Sequence, residues 1–198
     1  MSQQTTIALI KAAPDCLLRM SRTRFNYWAE FAIDIPLGIA LVLASQRRHD
    51  IPSLAAIPAI LLGLFIFSYI EYSIHRWLFH GSIPIIVQGH LAHHKNPLGY
   101  DAMPFFLPGL VILGLTGTFV LLMPASYAYL QAGIMAFGYA TYGLSHFSIH
   151  HVRFRRPLVK RWAANHLIHH YHPESNYGVT TPLWDIVVGT RYVIPDHK

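Results

Sequence analysis

The sequence has few charged residues and almost no cysteine. Asp, Glu, Lys and Arg make up 12% of its 198 residues, about half the share of roughly 25% that is usual in soluble domains. A single cysteine, Cys16, excludes a disulfide scaffold and a cysteine-based zinc module. The aromatic share of 13% excludes intrinsic disorder. The shortage of charge therefore points to a folded chain that lies largely in lipid.

The uncharged stretches are long enough to cross a bilayer. Residues 51–70 contain no Asp, Glu, Lys, Arg or His, and a helix of about 20 residues spans about 30 Å. Residues 102–152 contain no Asp, Glu, Lys or Arg, which is too long for one crossing and suits two. Met123-Pro124 lies near the middle, where proline favours a reversal. We therefore predict spans at 51–70, 104–123 and 125–146.

A further apolar segment, at 28–46, is long enough to cross but carries Glu30 and Asp34. Two interpretations of this segment are open: a helix that spans the membrane, or a re-entrant or interfacial segment. Residues 1–30 are predicted to be an interfacial arm, because arginines there precede aromatic residues. With four spans, 13 Lys and Arg lie on one face and 2 on the other, whereas three spans give 9 and 6. The positive-inside rule therefore favours four spans.

These observations predict an all-α integral membrane bundle of four, or else three, transmembrane helices. Residues 147–198 are expected to form a cytoplasmic helical cap, within a single domain that covers 1–198. A positive rim next to anionic lipid accounts for the pI of 9.6. Binding to nucleic acid is therefore not expected.

Histidine is unusually frequent and unevenly placed. Of the 14 histidines, 12 occur in four segments that the predicted topology brings to one membrane face, and His49 and His197 lie outside them. The segments are EYSIHRWLFH (71–80), GHLAHH (89–94), SHFSIHH (145–151) and NHLIHHYH (165–172). Such distant segments can converge on one site at the ends of the spans.

The spacing within three of these segments suits helical metal ligands. H-x-x-H-H occurs at 90–94 and at 166–170, and places its imidazoles on one helical face. His146 and His150 are also one turn apart. His75 and His80 are five residues apart, which turns an α-helix by roughly 140°. This pair must therefore straddle a helix end or a local distortion, or face two metals.

The number of clustered histidines indicates two metal ions, because about ten imidazoles exceed what one ion accepts. Imidazole alone does not choose among Zn, Cu, Fe and Ni. The sequence lacks the H-E-x-x-H of zinc proteases and the E-x-x-H of soluble di-iron bundles. Ligands at the ends of the spans, rather than at mid-membrane, disfavour a metal transporter. A site at the interface can take lipid from the bilayer and electrons from the aqueous side.

The histidine segments resemble those of the fatty acid hydroxylase superfamily, which includes sterol desaturases and carotenoid hydroxylases. The likeness covers about residues 70–192. The H-x-x-x-x-H of EYSIHRWLFH is similar to the first box of fatty acid and sphingolipid 2-hydroxylases. HLAHHKNP and SHFSIH resemble the second and third boxes, and HLIHHYHPESNYGVTTPLWDIVVGT the fourth. The NYG and WD…GT elements also resemble the sterol-oxidase branch.

The resemblance implies a dinuclear non-haem iron centre that uses O2 and two electrons to hydroxylate an unactivated C–H bond of a membrane lipid. The resemblance also implies that zinc can occupy the two iron positions in a purified sample. The implied metal ligands are His75, His80, His90, His93, His94, His146, His150, His166, His169 and His170. His151 and His172 are expected to support ligands or to contribute to packing, rather than to bind metal. A sterol or carotenoid hydroxylase or desaturase is the alternative activity, and a non-catalytic metal-binding membrane protein the alternative class.

Three carboxylates, Glu71, Asp101 and Asp185, are candidates for supporting the ligands. Glu71 precedes His75 by one helical turn and could hold the free N–H of a ligand imidazole, or be a simple interfacial carboxylate. Asp185 falls in a short helix predicted at 182–188, ended by Gly189, and is either structural or functional.

The expected partners are the lipid substrate, O2, the membrane and an electron donor. Larger relatives carry a fused cytochrome b5 domain with H-P-G-G, whereas His172-Pro173-Glu174 is the one His-Pro here. We therefore expect a separate donor, either cytochrome b5-like or ferredoxin-like. Basic residues between Arg153 and Arg161 could dock such a carrier or contact lipid headgroups. The expected location is a bacterial inner membrane or the endoplasmic reticulum, with the histidines on the cytoplasmic face.

Overall fold

The computed structural model describes residues 16–194, and these residues form helices and loops without any β-strand. The all-α prediction is confirmed for this part of the chain. From residue 24 onward there are seven α-helices and one π-helical turn. They are α1 (Arg24–Gln46), α2 (Ser53–Ser73), the π-turn (Ile74–Phe79), α3 (Pro84–Lys95), α4 (Leu107–Leu122), α5 (Ala125–His151), α6 (Pro157–Tyr171) and α7 (Leu183–Val188).

Within residues 16–194, two helices are long and apolar enough to cross a membrane. They are α1, at 24–46, and the continuous helix formed by α2 and the π-turn, at 53–79. The helix α4 is apolar but shorter. Although α1 contains Pro36, Glu30 and Asp34, it is one uninterrupted helix of 23 residues. The carboxylates of Glu30 and Asp34 are buried in the protein, which is where charged groups of an apolar helix are tolerated.

The predicted reversal at Met123-Pro124 is present. The helix α4 ends at Leu122 and α5 begins at Ala125. Met123 is extended, with φ −148° and ψ 165°, as expected for the residue before a proline. The two helices are therefore joined by a minimal connection and run antiparallel.

The helix α5 lies at the centre and packs against α1, α2 and α4. One apolar cluster joins Leu41, Ile112 and Ala136, which lie on α1, α4 and α5. At the histidine end, the Tyr27 hydroxyl donates a hydrogen bond to the Gly143 carbonyl, with 2.9 Å between the oxygens. Because α5 carries His146 and His150 at this end, the packing of α5 against α1 fixes the position of these two side chains along the axis of the bundle.

Small residues allow α1 and α5 to approach closely. A Cβ atom added to Gly133 would lie 2.8 Å from Val42 Cγ2 and 3.2 Å from the Gly38 carbonyl oxygen. The latter contact involves backbone, which cannot rotate away. The helices therefore meet at a distance that only glycine permits here.

Gly133→Leu is expected to push α1 away from α5 and to lower the free energy of unfolding by about 1–3 kcal/mol, the usual cost of overpacking. The thermal unfolding midpoint of the detergent-solubilised protein measures this effect. Gly117→Leu is the matched control, because an added Cβ at Gly117 meets nothing within 4 Å. Equal midpoints for the two variants would contradict the tight α1–α5 contact.

Candidate metal centre

The π-helical turn brings the first two histidines together. Residues 74–79 form one π-helical turn at the end of α2, and the His80 N–H donates to the His75 carbonyl at 3.2 Å. A π-helix bonds residues five apart, so His75 and His80 lie one above the other. Their ring centroids are 5.3 Å apart. The local distortion considered for this pair is therefore the one present.

The other eight histidines come from the ends of three helices. His90, His93 and His94 lie on α3, and His146 and His150 occupy the last turns of α5. His166, His169 and His170 lie on the last turns of α6. The H-x-x-H-H spacing therefore acts as the sequence predicts, by aligning imidazoles along one face of each helix.

The ten imidazoles form two groups of five. Within each group the candidate ligand nitrogens all lie within 4.8 Å of one another. Site 1 consists of His75, His80, His90, His94 and His169, and site 2 consists of His93, His146, His150, His166 and His170. The rings of His94 and His170 stack across the two sites with centroids 4.3 Å apart. Each site draws on three or more helical segments, so the whole fold is needed to assemble it.

Hydrogen bonds between histidines cannot explain the arrangement in site 1. His90 Nε2 lies 3.1 Å from His75 Nε2, 3.0 Å from His80 Nε2 and 3.0 Å from His94 Nε2. One ring nitrogen carries either one proton or one lone pair, so it cannot bond three such neighbours. Nitrogens that bind a common ion at about 2.1 Å are about 3.0 Å apart when their bonds meet at a right angle. The donor set and its spacing fit a metal ion.

The histidines are in the protonation state that metal binding requires. Burial lowers the pKa of His80 to about 4. Burial also lowers the pKa values of His169 and His170 to about 3, with further lowering from neighbouring histidines. These side chains are therefore neutral at physiological pH, with a lone pair free on one nitrogen.

A loop at 175–180 orients two ligands of site 1. His75 Nδ1 donates to the Tyr177 carbonyl at 2.5 Å, and His169 Nδ1 donates to the Ser175 carbonyl at 2.7 Å. An N–H on Nδ1 leaves the lone pair on Nε2, which points into the site. The loop therefore sets both the tautomer and the ring orientation of His75 and His169.

Two buried carboxylates hold this loop. Asp185 accepts hydrogen bonds from the Tyr177 and Gly178 N–H groups, each at 2.8 Å. Glu71 accepts from the Val179 N–H at 2.8 Å. It also accepts from the N–H and the hydroxyl of Thr180. Glu71 was considered as the direct partner of an imidazole, but its hydrogen bonds in the described residues go to the loop. Both carboxylates act on the ligands through the backbone.

His151 and His172 lie outside both sites. His151 stacks on Phe147 at 3.9 Å between centroids, and its Nδ1 lies 3.0 Å from the Phe147 carbonyl oxygen. His172 stacks on Tyr192 and lies 3.7 Å from the Glu174 carboxylate. Within the described residues neither ring contacts a ligand imidazole, and both pack against aromatic side chains, which is the packing role expected as an alternative. His197 lies outside the described residues.

Two further residues that shape the loop, Asn165 and Asn176, were not identified from the sequence. Asn165 Nδ2 donates to the Gly178 carbonyl, and Asn176 Nδ2 donates to the Asn165 carbonyl, both at 3.1 Å. Asn176 adopts a positive φ of 55°, which asparagine tolerates better than most residues. The only sequence signal was the Asn-Tyr-Gly turn, because the rest depends on contacts between distant segments.

Comparison with known proteins identifies the family. The family model described as fatty acid hydroxylase matches residues 60–190. The chain belongs to the fatty acid hydroxylase family. Membership makes it an enzyme, an oxidoreductase of the hydroxylase type. The matched range contains all ten histidines of sites 1 and 2.

Several curated relatives of this hydroxylase act on fatty acyl groups of ceramides, according to their names. Two dihydroceramide fatty acyl 2-hydroxylases of Arabidopsis thaliana are 28% and 30% identical to it, over 83% and 85% of this chain and 73% and 74% of theirs. A ceramide very long chain fatty acid hydroxylase of Saccharomyces cerevisiae is 32% identical over 68% of this chain and 38% of its own.

A solved structure has the same fold. It is full-length Scs7p, in which only the hydroxylase domain is visible, and it superimposes with a TM-score of 0.75. The match covers 90% of this chain and 70% of the Scs7p chain at 27% sequence identity. The likeness thus extends beyond the histidine segments to the helices that hold them.

Proposed function

We propose that this enzyme hydroxylates an unactivated C–H bond of a fatty-acyl or sphingolipid chain, using O2 at a dinuclear histidine-ligated iron centre. The observation that carries the proposal is the assembly of ten imidazoles into two sites of five. The names of the relatives support an acyl chain as substrate. The reaction consumes O2, two electrons and two protons, and yields the alcohol and water.

The ten histidines of sites 1 and 2 are the proposed ligands. Iron bound in the two sites would supply the activation of O2 that an unreactive C–H bond needs. The protein contributes the orientation of the imidazoles, through the loop at 175–180, and a shell that limits access of water. Burial of His75, His166 and His169, each at most 1% exposed, supplies that shell.

An apolar cavity between α2, α4 and α5 supports the proposal that the substrate is a lipid. Near the histidines it is lined by Phe79 and Tyr142. The Phe79 ring stacks on His90 of site 1 at 5.1 Å, and the Tyr142 ring stacks on His146 of site 2 at 5.8 Å. One aromatic side chain therefore lies between the cavity and each site.

The deeper part of the cavity suits a hydrocarbon chain. It is lined by Val111 and Leu115 of α4 and by Met135 and Tyr139 of α5. Leu115 lies eight residues into α4, about 12 Å along the helix from its start. In this arrangement the acyl chain would extend along the spans while the carbon to be oxidised lies below the imidazoles. Tyr139 and Tyr142, two aromatic residues of α5, both line this cavity.

We place the histidine sites at the cytoplasmic face of a four-span bundle, α1, α2, α4 and α5, with α3, α6 and α7 forming the cap in one domain. The two long apolar helices and the antiparallel α4–α5 pair support this topology. The excess of Lys and Arg on the histidine face supports the orientation. An inner bacterial or endoplasmic reticulum membrane fits that orientation.

Electrons come, in this proposal, from a separate cytochrome b5-like or ferredoxin-like protein. The basic residues at the start of α6 are exposed and favour an acidic partner there. They are Arg153, Arg155, Arg156, Lys160 and Arg161. The helix α6 continues from this surface to His166, so docking here would bring the carrier to the cap rather than to the spans.

The direct test is product formation. The protein is purified in detergent, loaded with iron, and incubated with membrane lipid, a chemical reductant and 18O2. We expect acyl chains with a mass gain of one 18O atom. Loss of two hydrogens without oxygen would instead show a desaturase, and labelled sterol or carotenoid would show the alternative substrate. Absence of any oxidised lipid from protein holding two ions per chain would overturn the proposal.

A further inference from the structure

The two metal sites differ in how their imidazoles are anchored. In site 1, His75 and His169 each donate from Nδ1 to a backbone carbonyl, at 2.5 and 2.7 Å. These two rings are 1% and 0% exposed. Their carbonyl partners belong to one short loop. Two of the five ligands of site 1 are therefore fixed before any ion binds.

Site 2 has no corresponding anchors among the described residues. The Nδ1 atoms of His166 and His170 are buried and have no hydrogen-bond partner in that part of the chain. Their Nε2 atoms lie 3.2 Å apart and face the site. Neither ring therefore has a backbone carbonyl or a carboxylate that fixes its orientation.

Such anchoring changes metal affinity. A hydrogen bond from the second nitrogen fixes the orientation of an imidazole and makes it a stronger ligand, and loss of one typically lowers metal affinity by about 10- to 100-fold. The ligand sets are otherwise matched, because each site has five imidazoles and no carboxylate or thiolate. The anchors are thus the main chemical difference between the sites.

We infer that the two sites hold divalent transition-metal ions unequally. Site 1 fills first and retains its ion, whereas site 2 exchanges its ion readily. This inference rests on the proposed function, in that it takes both groups of histidines to be metal sites. A partly loaded enzyme would then carry its ion in site 1 and lack a complete dinuclear centre, so supply of the second ion would limit activity.

Asp185 is the positioning residue that makes site 1 the tighter one. It is fully buried and holds the Tyr177 N–H, and the carbonyl of the same residue orients His75. Its Oδ1 also accepts from the Thr190 hydroxyl at 2.8 Å. A change at Asp185 is therefore transmitted to site 1 through the loop, while the structure gives the loop no hydrogen bond to an imidazole of site 2.

The test measures how fast each ion leaves. The full-length protein in detergent is loaded with Zn²⁺, separated from free metal and mixed with an excess of a chromogenic chelator. We expect release of two ions per chain in two phases of equal amplitude, with the second at least about 10-fold slower. His150→Ala should remove the fast phase and His80→Ala the slow one, which assigns the phases to the sites.

Asp185→Asn should accelerate the slow phase by about 10-fold and leave the fast phase unchanged. Thr190→Val, which removes one bond to Asp185, should act in the same direction with a smaller change, and serves if Asp185→Asn does not fold. Asp101→Asn is the control, because Asp101 pairs with Arg22 and has no hydrogen bond to a ligand imidazole or to the loop at 175–180 within the described residues.

The outcomes separate the two proposals. Two ions released in one phase, or phases assigned to the opposite sites, would overturn the inference and leave the dinuclear centre intact. An accelerated fast phase in Asp185→Asn would overturn the role of Asp185. Binding of fewer than two ions at saturation would overturn the dinuclear centre itself, and the inference with it.

Discussion

Replacing His169 with alanine is expected to abolish hydroxylated lipid, a loss of at least about 100-fold, because it removes a ligand and not only its support. The imidazole is fully buried, and its Nε2 lies 2.9 Å from His80 Nε2 in site 1. Bound metal should fall from two ions to one. Mass spectrometry of the lipid product and elemental analysis of the protein measure the two effects.

His172→Ala is the matched control, since His172 lies three residues further along and contacts Glu174 and Tyr192 instead of a metal site. It should keep both metal ions and most of the product. Full activity in His169→Ala, in protein that remains folded and monodisperse, would show that the ligand assignment is wrong.

Leu115→Trp is expected to lower the rate of hydroxylation of long acyl chains by about 10- to 100-fold. A change of even one methylene group in the fit between a substrate and an apolar pocket alters the rate by factors of this order. The indole would fill the deeper part of the cavity, which Leu115 lines. Shorter chains should be affected less, so the profile of products should shift toward them. The metal content should stay at two ions per chain, because Leu115 touches neither site.

Leu113→Trp provides the control for this substitution. Leu113 lies on the same helix, is 50% exposed and does not line the cavity. It should leave both the rate and the chain-length profile unchanged. An identical drop in Leu113→Trp would mean that a bulky residue on α4 disturbs the helix, and that the cavity does not hold the substrate.

Much of the fold could be read from local sequence. The reversal at Met123-Pro124 follows from the geometry of proline. The end of α7 follows from Gly189, because glycine readily adopts the left-handed conformation that ends a helix, and here its φ is 77°. The helical spacing of His90, His93 and His94 predicts one ligand face because helix geometry is local. These features depend on residues within about one helical turn of each other, and such residues are close together in the sequence.

Other features depend on contacts that sequence does not state. The π-turn that unites His75 and His80 needs one extra residue in a helical turn, and no residue type marks it. The division of ten histidines into two sites of five mixes ligands from different segments: His90 and His94 join site 1, whereas His93 joins site 2. That division depends on how the π-turn, α3, α5 and α6 are brought together in the fold.

The role of Glu71 shows the same limit. Its position one turn before His75 correctly places it near the site, but its hydrogen-bond partners, Val179 and Thr180, lie more than 100 residues away in sequence. Spacing along a helix identifies a face and not what packs against it. The effect of Glu71 on the ligands therefore passes through a loop that only the folded chain reveals.

The proposed chemistry requires that ten imidazoles hold two metal ions. Anomalous diffraction from crystals of the metal-loaded protein, collected at the absorption edge of the bound metal, tests it directly. We predict two peaks per chain, each about 2.0–2.2 Å from five histidine nitrogens, one surrounded by the imidazoles of site 1 and the other by those of site 2. A single peak, or peaks away from these histidines, would contradict it.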